Sequence, residues 1–424
     1  MDSAPRRRPF DRLVMFKRSL LTIGALVALY SGAASSQTAE WDQWRGPNRD
    51  GKSPETGLLK SWPAEGPPLL WHTTEAGIGY SSFSTVSGRL YTQGDRGETG
   101  FVIALDAATG KRLWATPNGP SYENSYGSGQ RSTPTIDGDL LYALSATGEL
   151  ACLDTATGRV VWRKDIVREY RSSIPVWGYS ESPLVVADRV IVHAGGPKAS
   201  IVALNKLTGA TLWSSESDGA AYSSGVVARV GEVTQAIYFS DHRTLGVDVR
   251  DGRLLWSYDR ASNDTANVAT PIVSGTRVLV SSGYDTGAAL LELSSKGAQE
   301  VYFTRNLQSH YSSAVLVGDY LYGFSDAILT AIRFADGSVA WRNRSVGKGS
   351  LVYADERLYL YGEDGVVGLA EATSEAYRER GRFRLPGNSP PTWAPNPIIT
   401  NGKLILRNQE HVYAYDVRAA KSDK

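Results

Sequence analysis

Residues 104–114, Ala104-Leu105-Asp106-Ala107-Ala108-Thr109-Gly110-Lys111-Arg112-Leu113-Trp114, set an apolar stretch, an Asp-x-x-Thr-Gly run and a second apolar stretch ending in an aromatic side by side. Such a pattern reads as strand, tight turn, strand: the Asp bonds its own backbone and the Gly accepts the positive φ that the reversal needs. It returns as CLDTATGRVVW ending at Trp162, ALNKLTGATLW at Trp213, GVDVRDGRLLW at Trp256 and AIRFADGSVAW at Trp341. Upstream hairpins are written at 85–91, 135–142, 184–192, 272–280, 315–323, 352–360 and 398–406, so each unit holds four short strands and almost no segment has a helical period. Two degenerate copies, 291–303 and 367–383, complete a series of aromatics at Trp71, Trp114, Trp162, Trp213, Trp256, Tyr302, Trp341 and Phe383, separated by 39 to 51 residues. Four strands recurring at that interval make a propeller blade.

The two ends complement one another. Leu69-Leu70-Trp71-His72 has the sequence of a last strand with no first three before it, and residues 397–417 supply three strands without a last. The expected fold is therefore all-β: an eight-bladed β-propeller of four-stranded antiparallel blades, with the N-terminal strand closing the last blade. Closure removes the free edges that an open solenoid would expose.

Working outward, Arg6, Arg7, Arg8, Arg12, Lys17 and Arg18 precede the apolar run 20–30 and the small residues 31–36. This is the layout of a secretory signal peptide, with cleavage expected near 34–39; the apolar run is short of the roughly 20 residues that span a bilayer. Met15 is an alternative start. The expected organisation is a signal peptide over 1–36, an extension over 37–66, the propeller over 67–418 and a polar tail over 419–424, exported to the periplasm or outside the cell. Losing residues 1–36 removes six of 45 basic and two of 44 acidic groups, leaving 39 against 42, so the whole chain's +1 becomes −3. Neither figure suits a phosphate backbone, so nucleic acid is excluded as a partner. The single cysteine, Cys152, rules out an internal disulfide and a cysteine-built metal site, and its place in ELACLD reads as a buried strand position.

The repeated segment 104–114 resembles the tryptophan-docking repeat of the pyrroloquinoline quinone (PQQ) propellers, over roughly residues 67–418. The resemblance implies that Trp71, Trp114, Trp162, Trp213, Trp256 and Trp341 pack blade on blade. It also implies one of two roles: a quinoprotein alcohol or sugar dehydrogenase holding PQQ and Ca²⁺ on the axis, or a non-catalytic scaffold similar to BamB of the outer-membrane β-barrel assembly machinery. The opening 41–51, WDQWRGPNRDG, resembles that of exported PQQ-repeat proteins; it either caps one mouth through Trp41, Trp44 and Arg45 or is pinned to the outside by its tryptophans.

In a propeller the segment leading into each innermost strand stands at the mouth of the central funnel. Here these segments carry Tyr80, Arg131, Trp177, Tyr179, Glu181, Tyr222, Asn267, His310 and Tyr311, with Asp241-His242 nearby. Aromatic faces and hydroxyls around one ring suit a small-molecule site, and Tyr80, Arg131, Trp177, Tyr179, Glu181, Tyr222, His242, Asn267, His310 and Tyr311 are the candidates for it. A quinoprotein would further need a hard cation with oxygen ligands and a carboxylate base. Glu181 and Asn267 have the ligand chemistry, and Asp241 or Glu181 could act as the base. No motif ties them together, no His-x-His or His-Glu-x-x-His spacing is present, and the adjacent cysteine pair of the dehydrogenases is missing. The expected function is an envelope binding or scaffold protein, monomeric and without a membrane span after cleavage, whose funnel meets a protein or small ligand; PQQ with Ca²⁺ and no cofactor at all are both left open.

Overall fold

The computed structural model describes residues 40–387 and 393–420; the expected signal peptide lies outside them. Eight four-stranded antiparallel meanders form the blades, and one of these sheets gains a fifth, parallel strand. The first runs Ser84–Val86, Arg89–Arg96, Thr99–Asp106 and Arg112–Pro120, and the same meander repeats to the seventh, Gly349–Ala354 to Glu379–Arg384. In the eighth, Ile398–Thr400, Lys403–Asn408 and His411–Asp416 are completed by Leu69–Thr73, whose Trp71 lies opposite Ala414. The ring thus closes through strand pairing, as the complementary ends predict. One hairpin that the sequence reading did not single out, Val226–Val230 with Val233–Phe239, opens the fourth blade. A single helical turn, Ile166–Tyr170, is capped by Asp165. No helix among the described residues is long and apolar enough to cross a membrane.

The middle strands of every blade are covered on both faces by neighbouring blades. Their apolar runs are accordingly continuous rather than alternating, as in Val102-Ile103-Ala104-Leu105, all fully buried. Cys152 sits in one such layer, with Leu150, Val190 and Val192 around it.

The docking tryptophans join blades in two ways. In four of them the ring lies over the turn glycine of the next blade (Gly110, Gly158, Gly209 and Gly252) and the indole N–H donates to a carbonyl beside that turn: Trp71 to Ala107 O (3.3 Å), Trp114 to Thr155 O (3.1 Å), Trp162 to Lys206 O (3.0 Å) and Trp213 to Val249 O (3.0 Å). Trp341 reaches Thr373 O (2.7 Å), and the Tyr302 hydroxyl takes the same part toward Phe334 O (3.1 Å). Trp256 differs: it packs against the fifth blade but donates to Gln235 of its own blade (2.7 Å). The next turn there, Ser294-Ser295-Lys296-Gly297, lacks the Asp-x-x-Thr-Gly frame.

The N-terminal extension is not pinned to the outside. Trp41 bridges Thr85 of the first innermost strand, Ile136 N donates to Asp42 O (2.8 Å), and Lys52–Ser53 pairs in parallel with Gly349–Ala354. Arg45 donates to Ser313 O (3.0 Å) and Ala314 O (2.6 Å). Arg49 donates to Ser182 O (3.1 Å), Gly225 O (2.8 Å), Thr135 Oγ1 (3.3 Å) and Pro183 O. With Trp44 on Thr270 and Glu55 accepting from Gly402 N (2.7 Å), the strap touches all eight blades along the axis.

Candidate functional site

Because the strap fills the axis, the space above it is a cup rather than a pipe. Its base is Trp44, whose indole N–H is fixed on Thr270 Oγ1 at 2.9 Å. The walls come from the segments leading into the innermost strands: Tyr80, Arg131, Trp177, Tyr222, His310 and Tyr311, with Tyr284 and, from the last of these segments, Trp393 to Asn396. Counted out to its open mouth, solvent included, the cup spans about 950 Å³. Trp177 and Tyr222 lie 5.3 Å apart at 48°, and across the cup His310 stacks on Trp393 (5.6 Å, 10°) with Tyr311 edge-on (5.3 Å).

Arg131 is the one charged side chain in this lining among the described residues. Its guanidinium rests over Tyr80 (5.2 Å) and Tyr122 (5.4 Å) and donates through Nη2 to Gly127 O. Burial lowers its pKa from the ordinary value, with Tyr122 and Tyr80 opposing. His310 is pushed down to about 4, first by burial and then by Lys348, so its ring is neutral at physiological pH. A second recess opens behind Tyr80 and Trp393 and contains Lys348, Glu363 and Gln409.

Six of the ten residues expected at the ligand, Tyr80, Arg131, Trp177, Tyr222, His310 and Tyr311, are brought together; four are not. Tyr179 is buried between blades, its hydroxyl donating to Ala194 O (2.8 Å). Glu181 is fully buried and points away from the cup, accepting from His193 N; burial pushes its carboxyl up to about 8. Asn267 spends its amide on Ser240 O (3.0 Å) and Asp241 O (2.7 Å). His242 is exposed and bonds Asp218 at 2.7 Å, with Asp241 3.8 Å away, so Asp241 and Glu181 do not face the cup as a base would. The reason is extended geometry, in which alternate residues face opposite ways. Ala266, Val268 and Thr270 line the cup while Asn267 between them cannot, and Ser180 lines it while Glu181 does not. Sequence reasoning missed Trp44 as the base, Trp393 and Tyr284. Trp44 carried a signal, its place in the Trp-Arg-Gly-Pro run; the other two lie outside the repeated motif.

These residues do not fit a Ca²⁺-bound quinone. No lining side chain among the described residues is a carboxylate, and no group of three acidic, histidine or cysteine side chains stands ready for a metal. What the arrangement offers chemically is flat apolar faces, a few hydroxyls, one neutral imidazole and one cation.

The family model described as outer membrane protein assembly factor BamB matches residues 98–343. The chain is 26% identical over 348 residues to BamB of Burkholderia pseudomallei (strain K96243), covering 72% of this chain and 86% of that protein. The crystal structure of BamB from Moraxella catarrhalis is similar with a TM-score of 0.59 at 17% identity, covering 81% of this chain and 95% of that one. The quinohemoprotein alcohol dehydrogenase from Comamonas testosteroni is similar with a TM-score of 0.66 at 11% identity, covering 92% and 82%. The two structural likenesses concern the fold alone.

Proposed function

The chain belongs to the PQQ-repeat propeller family whose model is described as outer membrane protein assembly factor BamB, and from that premise we propose that it is an exported envelope scaffold that presents its cup to a partner. One observation carries the reading: among the described residues the axial site offers aromatic walls and a single cation, with no lining carboxylate to hold a hard cation beside a quinone. The basic and apolar layout of residues 1–36 supports export, with the mature chain working as a monomer in the periplasm. The dehydrogenase reading has a fold likeness in its favour, but the donor set does not fit its cation, and no redox step is derived.

The test uses the full chain with a C-terminal tag in a Gram-negative host. Mass spectrometry is expected to find a mature N-terminus within 34–39, and cross-linking followed by purification is expected to recover the outer-membrane insertase. An unprocessed cytoplasmic product, or a processed one that recovers no insertase, would overturn the proposal.

A further inference from the structure

We propose that the seam of the ring carries a divalent transition-metal site, tightest for Cu²⁺, in which His72 and His411 clasp the closing strand. The two histidines lie 339 residues apart in the chain and meet because Leu69–Thr73 pairs with His411–Asp416. His72 stands opposite Tyr413, and the ladder ends with Thr73 opposite Val412. His72 and His411 are therefore diagonal neighbours on one face of the sheet, at the end where the pairing stops.

Their rings are already turned toward one another, His72 Nε2 lying 3.0 Å from His411 Nδ1. The Glu410 carboxylate stands 3.7 Å from the other nitrogen of His411. A carboxylate there holds the proton on Nε2 and leaves Nδ1 bare, as the outer partners of metal-binding imidazoles do. Tyr413 stacks on both rings (4.7 and 6.3 Å) and is itself fixed by its hydroxyl on Pro386 O (2.8 Å), so the pair is positioned from beneath. His72 is exposed, which leaves room for water at the remaining coordination positions and lets its proton pass from Nε2 to Nδ1 with none lost overall.

The spacing selects the ion. Two imidazole nitrogens about 2.0–2.1 Å from one metal stand about 2.9 Å apart at a right angle and about 3.4 Å apart at the tetrahedral angle. The 3.0 Å between these nitrogens suits the right angle, the tetragonal geometry of Cu²⁺ and Ni²⁺. The place gives the ion its effect. A strand of 5 residues holds the ring shut, and an ion that binds only when that strand is paired stabilises the closed ring.

The experiment is calorimetric titration of the purified protein, carrying no histidine tag, with CuCl₂, NiCl₂, ZnCl₂ and CaCl₂, together with electron paramagnetic resonance of the Cu²⁺ form. Cu²⁺ is expected to bind more tightly than Ni²⁺ or Zn²⁺, with two equatorial nitrogens in its spectrum, and Ca²⁺ is expected not to bind. His72→Ala and His411→Ala are each expected to weaken Cu²⁺ by about tenfold or more; His242→Ala, at an exposed histidine outside the seam, is expected to leave it unchanged. Ni²⁺ at a hundred times its dissociation constant is expected to raise the thermal midpoint by about 4 °C, and to leave that of His72→Ala where it was. Melting curves without metal are the control for folding of the variants. Cu²⁺ binding that His72→Ala leaves intact, a spectrum without two nitrogens, or Ni²⁺ binding that does not move the midpoint would overturn the inference. Insertase recovery does not depend on the seam, so the failure of either proposal leaves the other readable.

Discussion

Two glycines of the second blade separate the contribution of tryptophan docking from ordinary turn strain. Gly138 in the inner hairpin has φ +61 and nothing within 4 Å of an added Cβ, whereas Gly158 in the outer turn has φ +72 and would place its Cβ 2.6 Å from the Trp114 ring and 2.7 Å from Thr116 Oγ1. Alanine at either site takes the left-handed penalty of roughly 1–2 kcal/mol. At Gly158 the methyl must also displace a ring held on both sides, an overpacking cost of roughly 1–3 kcal/mol. Thr116, which donates to Gly158 O at 2.6 Å, leaves the turn no room to retreat. At about 2.1 cal/mol/K per residue, a ring of about 350 residues unfolds with roughly 0.7 kcal/mol/K, so each kcal/mol moves the midpoint by about 1.4 °C. Scanning calorimetry should therefore show Gly138→Ala lower by about 1.5–3 °C and Gly158→Ala by about 3–7 °C. Equal shifts would mean that the indole contact contributes nothing beyond the turn, and the account of the repeat as a docking device would fail.

Two further outcomes follow from the axis. Arg49→Met removes four charge-assisted bonds to the second, third and fourth blades, about 6 kcal/mol at roughly 1.5 each. It also relieves the burial that lowers this guanidinium to about 10, a return of about 3 kcal/mol, so thermal unfolding should fall by about 4 °C; an unchanged or higher midpoint would refute the balance. Glu181 is pushed up to about 8 in the fold against an ordinary value of 4.5, so between those values the folded state holds a proton that the unfolded state has lost. Stability then falls as pH rises from 5 to 8, by at most about 1.4 kcal/mol per unit, and denaturant titrations should find a flatter profile in Glu181→Gln; parallel profiles would count against it.

The blades were legible because a blade is a local object. Turn chemistry at Asp106, Asp154 and Asn205, each accepting from backbone N–H groups two or three residues on, is written within five residues, and the closing strand is legible as a remainder. The site was legible only to the resolution of a segment. Which of Ser180 and Glu181, or of Asn267 and Val268, faces the axis depends on a one-residue phase that each crossover sets for itself. Gly178 and Asn263 bend two of these crossovers through bonds that no repeat announces, Gly178 N to Pro175 O and the Asn263 side chain with Ala266 and Asn267. Polar type drew attention to Glu181 and Asn267, and the same polarity is why they were spent inside: Glu181 satisfies a buried backbone N–H of the strand Arg189–Gly196, and Asn267 a loop carbonyl, Asp241 O.

The strap explains why this ring has a cup to offer at all. Six of the eight innermost strands are three residues long, as in Ser84–Val86 and Thr135–Asp137, so the carbonyls just before them face the axis without a sheet partner. Buried carbonyls require donors. A guanidinium supplies five in one plane, and Arg45 and Arg49 place them against Ser182, Pro183, Gly225, Ser313 and Ala314, carbonyls of three different blades. An axis filled by water would satisfy the same groups but leave a passage open at both ends. Filling it with the chain's own arginines closes one end and sets Trp44 as a base. The aromatic walls are thereby left on one open face, so the residues that complete the fold at its centre also decide on which side the cup stands.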